Sequence, residues 1–285
     1  MFVNINGIKI NVELIREGNK SSSPLLVFLH GFTGSSCDWE QIIHSINTEL
    51  PVAAIDLVGH GKSDSPEDIN FYTTESLIKQ ICEVINRITK SKVILIGYSM
   101  GGRAALSFTL KYPDMVEALV LESASAGIKE DNLREERAKK DEELAEYIET
   151  HSIEDFVDHW MNLELFNTQR RFSNRKREEI RELKIKNNKT GLANSLRGFS
   201  TGKMIPLYSQ LKNIMMKTLL ITGELDTKFT EINSEMVSLL PNAEHKVMKN
   251  AGHNTHLEEP KSFIEAVNSF LLTIILSDTH HKSSG

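Results

Sequence analysis

Cysteine is nearly absent. Two residues, Cys37 and Cys82, in a chain of 285 cannot build a disulfide framework, and their spacing matches no metal site, so a reducing, cytoplasmic compartment is expected with both thiols packed and inert. Long hydrophobic runs are also missing, since no apolar stretch approaches the roughly 18 residues that a membrane helix needs. The amino terminus, MFVNINGIKINVELI, alternates apolar and polar residues and lacks a basic stretch followed by an apolar one. It therefore reads as strand and not as signal peptide. A basic excess is lacking too: the formal net charge is −6, which argues against a nucleic-acid surface. Any anionic ligand must then meet locally placed cations. The polar tail SDTHHKSSG, with adjacent His280 and His281, is expected to fray and not to bind metal. No metal, cofactor, nucleic acid or membrane is expected, and the chain should be a monomer or small homo-oligomer.

What remains is an ordinary globular composition, 40% hydrophobic and 25% charged, at a length that suits one domain carrying an insertion. Apolar runs rich in β-formers recur at PLLVFLH, PVAAIDL, KVILIGY, VEALVLES and KTLLITG. Helix-like stretches separate them, which is how a parallel α/β sheet buried on both faces is written. One such stretch, TTESLIKQICEVINRIT, places Leu77, Ile81, Val84, Ile85 and Ile88 at helical spacing and completes a βαβ unit. After Ser123 the rhythm breaks into some eighty charge-dense, helical residues through Met204. The division predicted is a core of residues 1–124 and 206–285 with a helical lid over 125–205. Strand and helix then resume with KTLLITG, HKVMK and PKSFIEAVNSFLLTIIL, Pro260 suiting a first helical turn.

The densest chemical signal is GYSMGG at Gly97 to Gly102. It sits between a strand and a helix, the context that a nucleophile elbow requires in the α/β-hydrolase fold. A serine hydroxyl is barely acidic, so Ser99 needs a base, and that base needs an orienting carboxylate. In this fold the order is serine, acid, histidine. His253, in NAGHNTH after the HKVMK strand, is the expected base, and Asp226, at the end of KTLLITGEL, the expected acid. Glu122 and Glu224 are rival acids. His245 and His256 read as surface histidines. The amides of Phe32, in HGFTG, and Met100 are the expected oxyanion donors.

Taken together, LHGFTGSS, DLVGHGKSD, GYSMGGRAAL, GELDTKF and AGHNTHLEEP closely resemble the 2-succinyl-6-hydroxy-2,4-cyclohexadiene-1-carboxylate synthases of menaquinone biosynthesis, over the whole chain. LRGFSTGK in the lid is a further characteristic run. The resemblance implies a lyase that removes a carbon-bound proton from a succinyl-bearing cyclohexene and expels its enolpyruvyl group as pyruvate, with Ser99, His253 and Asp226 handling the proton. It also implies a small substrate with three carboxylates. Arg103 and Arg137 match the family's carboxylate-binding arginines, and Tyr98 and Trp160 its pocket aromatics. Lys184 stands where the family usually has an arginine, ahead of the N-x-x-G-L-A segment, and a lysine lacks the planar fork. The run ELF at Glu164 to Phe166 lacks the proline that often precedes the LF pair. Two other readings share the fold: a serine hydrolase for esters or carbon-carbon bonds, and a noncatalytic small-molecule receptor. The cations Arg103 and Arg137 argue against the first, the complete triad against the second.

Overall fold

The apolar runs pair into an eight-stranded sheet. The computed structural model describes residues 1–16 and 23–282, the side chains of 277–282 excepted. The strands are β1 (Phe2–Ile5), β2 (Ile8–Arg16), β3 (Leu25–Leu29), β4 (Val52–Ile55), β5 (Val93–Tyr98), β6 (Val116–Glu122), β7 (Lys217–Gly223) and β8 (Ala243–Met248). Their order is β1-β2-β4-β3-β5-β6-β7-β8, with β3 to β8 parallel and β1 and β2 antiparallel to their neighbours. The amino-terminal stretch, read as a single strand, is thus a hairpin. Its turn is Asn6-Gly7, both at positive φ (51° and 88°), the backbone that a two-residue hairpin of matching twist demands.

The helices are α1 (Glu40–Ser45), α2 (Thr74–Ile88), α3 (Met100–Lys111), α4 (Asp131–Thr150), α5 (Ile153–Met161), α6 (Asn174–Lys184), α7 (Lys189–Phe199), α8 (Thr227–Leu239), α9 (Thr255–Glu258) and α10 (Pro260–Lys282). Strand alternation divides the core. Val27, Leu29, Ile55 and Leu95 face α2 and α3, whereas Leu26, Phe28, Ile94 and Ile96 face α1 and α10. Every residue of β3 and β5 is buried, which continuous apolar strands require. The four helices α4 to α7 run between β6 and β7 and enclose their own apolar cluster around Ile148, Phe156 and Leu192. Arg197 of α7 grips Glu142 (2.7 Å) and Glu149 (2.5 Å) of α4. Phe32 packs against both this cluster and the main core.

Three expectations need correction. The tail helix α10 continues to Lys282, so residues 277–282 are helical and not frayed; 283–285 and the side chains of His280 and His281 lie outside the described residues. Cys37 is exposed and not packed, while Cys82 is half-buried and burial pushes its thiol pKa up. His256 is buried, and His245 is half-buried with its Nε2 2.8 Å from the Thr222 hydroxyl. Among the described residues, no helix is long and apolar enough to cross a membrane.

Two histidines behind the β3 and β4 termini set an acid limit on stability. His30 and His60 are fully buried, and burial above all lowers both pKa values, that of His60 to about 3. Because His60 Nε2 has no partner, a proton there would create a buried, unsolvated charge. The folded pKa lies below the unfolded one, so stability is full above about pH 6.5 and is lost as pH falls toward the folded value. The slope is about 1.4 kcal/mol per pH unit for His60 alone. Urea unfolding at pH 5 should therefore show about 2 kcal/mol less stability than at pH 7 from this residue. His60→Gln should flatten the dependence by that amount, and parallel curves for the two proteins would refute the assignment.

Candidate active site

Ser99 follows β5 directly and stands at φ 49°, ψ −104°, in a region that ordinary residues avoid. The surrounding backbone over-determines that strain. Its amide donates to the Glu122 carbonyl (2.8 Å) and its carbonyl accepts from the Arg103 amide (3.0 Å). Gly101 brings the first turn of α3 against β3, where a Cβ would lie 2.2 Å from the Leu29 carbonyl oxygen. No residue with a side chain fits there.

The hydroxyl so presented meets His253, whose Nε2 lies 3.1 Å from Ser99 Oγ, while Nδ1 lies 2.6 Å from Asp226 Oδ2. An ionised carboxylate can only accept, so Nδ1 carries the proton and Nε2 is free to take one from the serine. Asp226 also caps α8, its Oδ1 accepting from the Phe229 amide (3.3 Å). Rings of Phe229, Tyr98 and Phe166 stand 4.4, 5.5 and 6.3 Å from the imidazole and limit its rotation. All three members of this row, with Phe32, sit beyond the carboxyl ends of their strands, where open α/β sheets place their sites.

Glu122 is no rival acid for His253. Its carboxylate, fully buried, accepts from the Thr255 hydroxyl (2.7 Å), the His256 amide (2.9 Å) and His256 Nδ1 (2.6 Å), and His256 in turn stacks on Trp39 at 4.2 Å. One residue therefore holds the elbow through its carbonyl and the histidine loop through its side chain. Glu258 adds a second tie, accepting from the Gly252 amide (2.8 Å), with Arg171 3.5 Å from its carboxylate. Glu224 instead accepts from the Asn250 amide (3.1 Å) and is exposed. Charge from Glu122 adds to burial in raising the Tyr98 phenol well above its ordinary pKa.

Ser99 and His253 open on a cavity of about 250 Å³. Phe32, Met100, Tyr98, Arg103, Arg137 and Trp160, six of the residues singled out from sequence, line it. Lys184 does not. Its Nζ donates to the Thr33 hydroxyl (2.9 Å). The third cation of the wall is Lys228, and no Asp or Glu appears in the lining. Arg103 runs over the Phe199 ring (4.8 Å) and donates to the Phe199 carbonyl (2.8 Å). Burial chiefly, then the nearby charge of Arg137, lowers its pKa. Arg137 is partly engaged, with Nε 2.8 and 2.9 Å from the Asp141 carboxylate oxygens. Trp160 Nε1, Ser123 Oγ, Ser200 Oγ and Thr201 Oγ1 are buried in the wall without partners, and such groups are costly unless a ligand satisfies them. Lys228 and Phe229, like Ser200 and Thr201, were not singled out from sequence, although the runs LDTKF and LRGFSTGK contain them.

Residues 24–260 match the family described as alpha/beta hydrolase fold. The chain is 40% identical over 260 residues (91% of this chain, 94% of the relative) to the protein named as a 2-succinyl-6-hydroxy-2,4-cyclohexadiene-1-carboxylate synthase in Bacillus subtilis (strain 168). It is 29% identical over 241 residues (85% and 89%) to the synthase of that name in Enterobacter sp. (strain 638). Among solved structures, MenH from S. aureus superposes with a TM-score of 0.87 at 32% identity, covering 93% of this chain and 98% of the other. With its buried parallel sheet, strained serine and cation-lined cavity, the chain belongs to the α/β-hydrolase fold and, within it, to the family of the 2-succinyl-6-hydroxy-2,4-cyclohexadiene-1-carboxylate synthases.

Proposed function

We propose that the protein is a lyase acting on 2-succinyl-5-enolpyruvyl-6-hydroxy-3-cyclohexene-1-carboxylate, releasing pyruvate and forming the conjugated diene, with Ser99, His253 and Asp226 as its proton-transfer triad. The observation that carries this reading is the cavity wall. A serine-histidine pair suited to proton transfer faces three cations and no carboxylate, a setting for a small polyanion and not for a neutral ester.

In this mechanism Arg103, Arg137 and Lys228 draw the carboxylates into place. Ser99, its hydroxyl proton accepted by His253, takes the carbon-bound proton of the ring. Asp226 holds the imidazole in the tautomer that can accept and stabilises it once charged. Electrons from the broken C–H bond form the new ring double bond as the C–O bond to the enolpyruvyl group breaks. The departing enolate takes the proton held by His253, which restores the base, and leaves as pyruvate. Charge accumulating on substrate oxygen meets the amides of Phe32 and Met100; the latter opens α3, so its N–H has no acceptor within the helix. No acyl-enzyme forms.

The test is direct. Purified protein given this cyclohexene should release one pyruvate per diene formed, and p-nitrophenyl esters should give no burst of nitrophenol. A strong ester burst without pyruvate release would select the serine-hydrolase reading instead.

A further inference from the structure

The family resemblance implies a substrate contact at Lys184, yet its ammonium points to Thr33. Thr33, the residue after Phe32, stands at φ 64°, a left-handed conformation that β-branched residues rarely adopt and that costs about 1–3 kcal/mol. Two side chains from the end of α6 and the turn after it grip this one residue. Lys184 Nζ donates to the Thr33 hydroxyl (2.9 Å), and Asn187 Nδ2 donates to the Thr33 carbonyl (2.9 Å). Asn187 is itself fixed at both ends, donating to the Lys184 carbonyl (3.0 Å) and accepting from the Gly61 amide (3.2 Å). On the other side, the Phe32 ring is wedged between Trp160 (5.1 Å) and Phe156 (6.4 Å) of α5 and His60 (5.8 Å).

The Lys184 ammonium is held there by a neutral partner. Burial lowers the Lys184 pKa, and Asp38 opposes that only through space. Among the described residues no carboxylate lies within ion-pairing distance of Lys184. A neutral hydroxyl offsets only part of the cost of desolvating an ammonium.

We propose that Lys184 is a positioning residue, holding the strained Thr33 so that the neighbouring Phe32 amide is aimed at the developing negative oxygen, and that it does not bind a substrate carboxylate. The inference rests on Phe32 as an oxyanion donor. It makes the inserted helices part of the oxyanion hole, because they supply both grips on its loop. It also accounts for a lysine in place of a forked arginine: one point donor suffices for one hydroxyl.

The experiment compares Lys184→Met, Thr33→Val and the double variant. Thr33→Val keeps the shape and β-branching while removing only the accepting hydroxyl. Two readouts are taken, pyruvate release and the rate at which a neutral fluorophosphonate probe modifies Ser99. Loss of an entire oxyanion donor costs about 10² to 10³ in turnover, so a misaimed one should cost about tenfold. Each single variant should lose about tenfold in kcat with KM within about twofold, and the double should be no worse than either. Phosphonylation should slow by the same factor, since it draws on the oxyanion hole and involves no carboxylate. If wild type releases no pyruvate, the proposed substrate is wrong, and the fluorophosphonate arm still decides the role of Lys184. Should Lys184→Met fail to fold, Thr33→Val decides alone. A KM raised tenfold or more in Lys184→Met, or Thr33→Val matching wild type in both readouts, would overturn the proposal.

Discussion

Ser99→Ala should lower kcat for pyruvate release by about 10² to 10⁴, the usual worth of a positioned general base, while leaving KM within about threefold. The split follows from the site. Ser99 Oγ lies 3.1 Å from His253 Nε2, and the cations proposed to bind the carboxylates, Arg103, Arg137 and Lys228, sit elsewhere in the wall. Removing the hydroxyl takes away proton transfer and almost no ground-state binding. His253→Ala should cost about as much, and Ser99→Ala/His253→Ala little more than either, because the two act as one proton carrier. Steady-state assays on the purified variants read all three values. Ser99→Ala at wild-type rate would remove the serine from the mechanism and leave His253 to act on the substrate directly.

The parts of this site legible in sequence are those with a local cause. β3 and β5 announce themselves as continuous apolar runs because both faces are buried. Ser99 is marked by glycines that its turn cannot do without. His253 and Asp226 follow from the chain order of the fold. What stayed hidden depends on partners distant in sequence. His256 looks like part of a solvated turn until the 134-residue gap to Glu122 closes, and then both groups are buried beneath the histidine loop. Lys184 shows the opposite failure: a family correspondence pointed into the cavity, whereas the short end of α6 delivers its ammonium to Thr33. The Asn6-Gly7 turn is a local signal masked by the alternation that continues across it and hides the reversal.

Arg103 is expected to be the most consequential cation of the wall. It leaves α3 one turn after Ser99, and its position is secured by the Phe199 carbonyl and ring, contacts that leave the guanidinium charge unneutralised. The depressed pKa is the signature of that deficit: burial and the charge of Arg137 both disfavour the cation, and a substrate carboxylate would relieve both. Arg103→Ala would leave that carboxylate unpaired in a desolvated wall, a loss of about 2–5 kcal/mol, or roughly 30- to 5000-fold in kcat/KM. Arg103→Lys should recover only part, because an ammonium offers one point contact where the fork offers two parallel hydrogen bonds. Stability should change modestly, since losing the hydrogen bond and ring contact to Phe199 is offset by relief of burying a charge beside Arg137. Phosphonylation of Ser99 by a neutral fluorophosphonate should stay near the wild-type rate, separating loss of carboxylate binding from damage to the elbow. An Arg103→Ala enzyme within about threefold of wild type in kcat/KM would mean that the anion is held elsewhere, and would turn attention to Arg137 and Lys228.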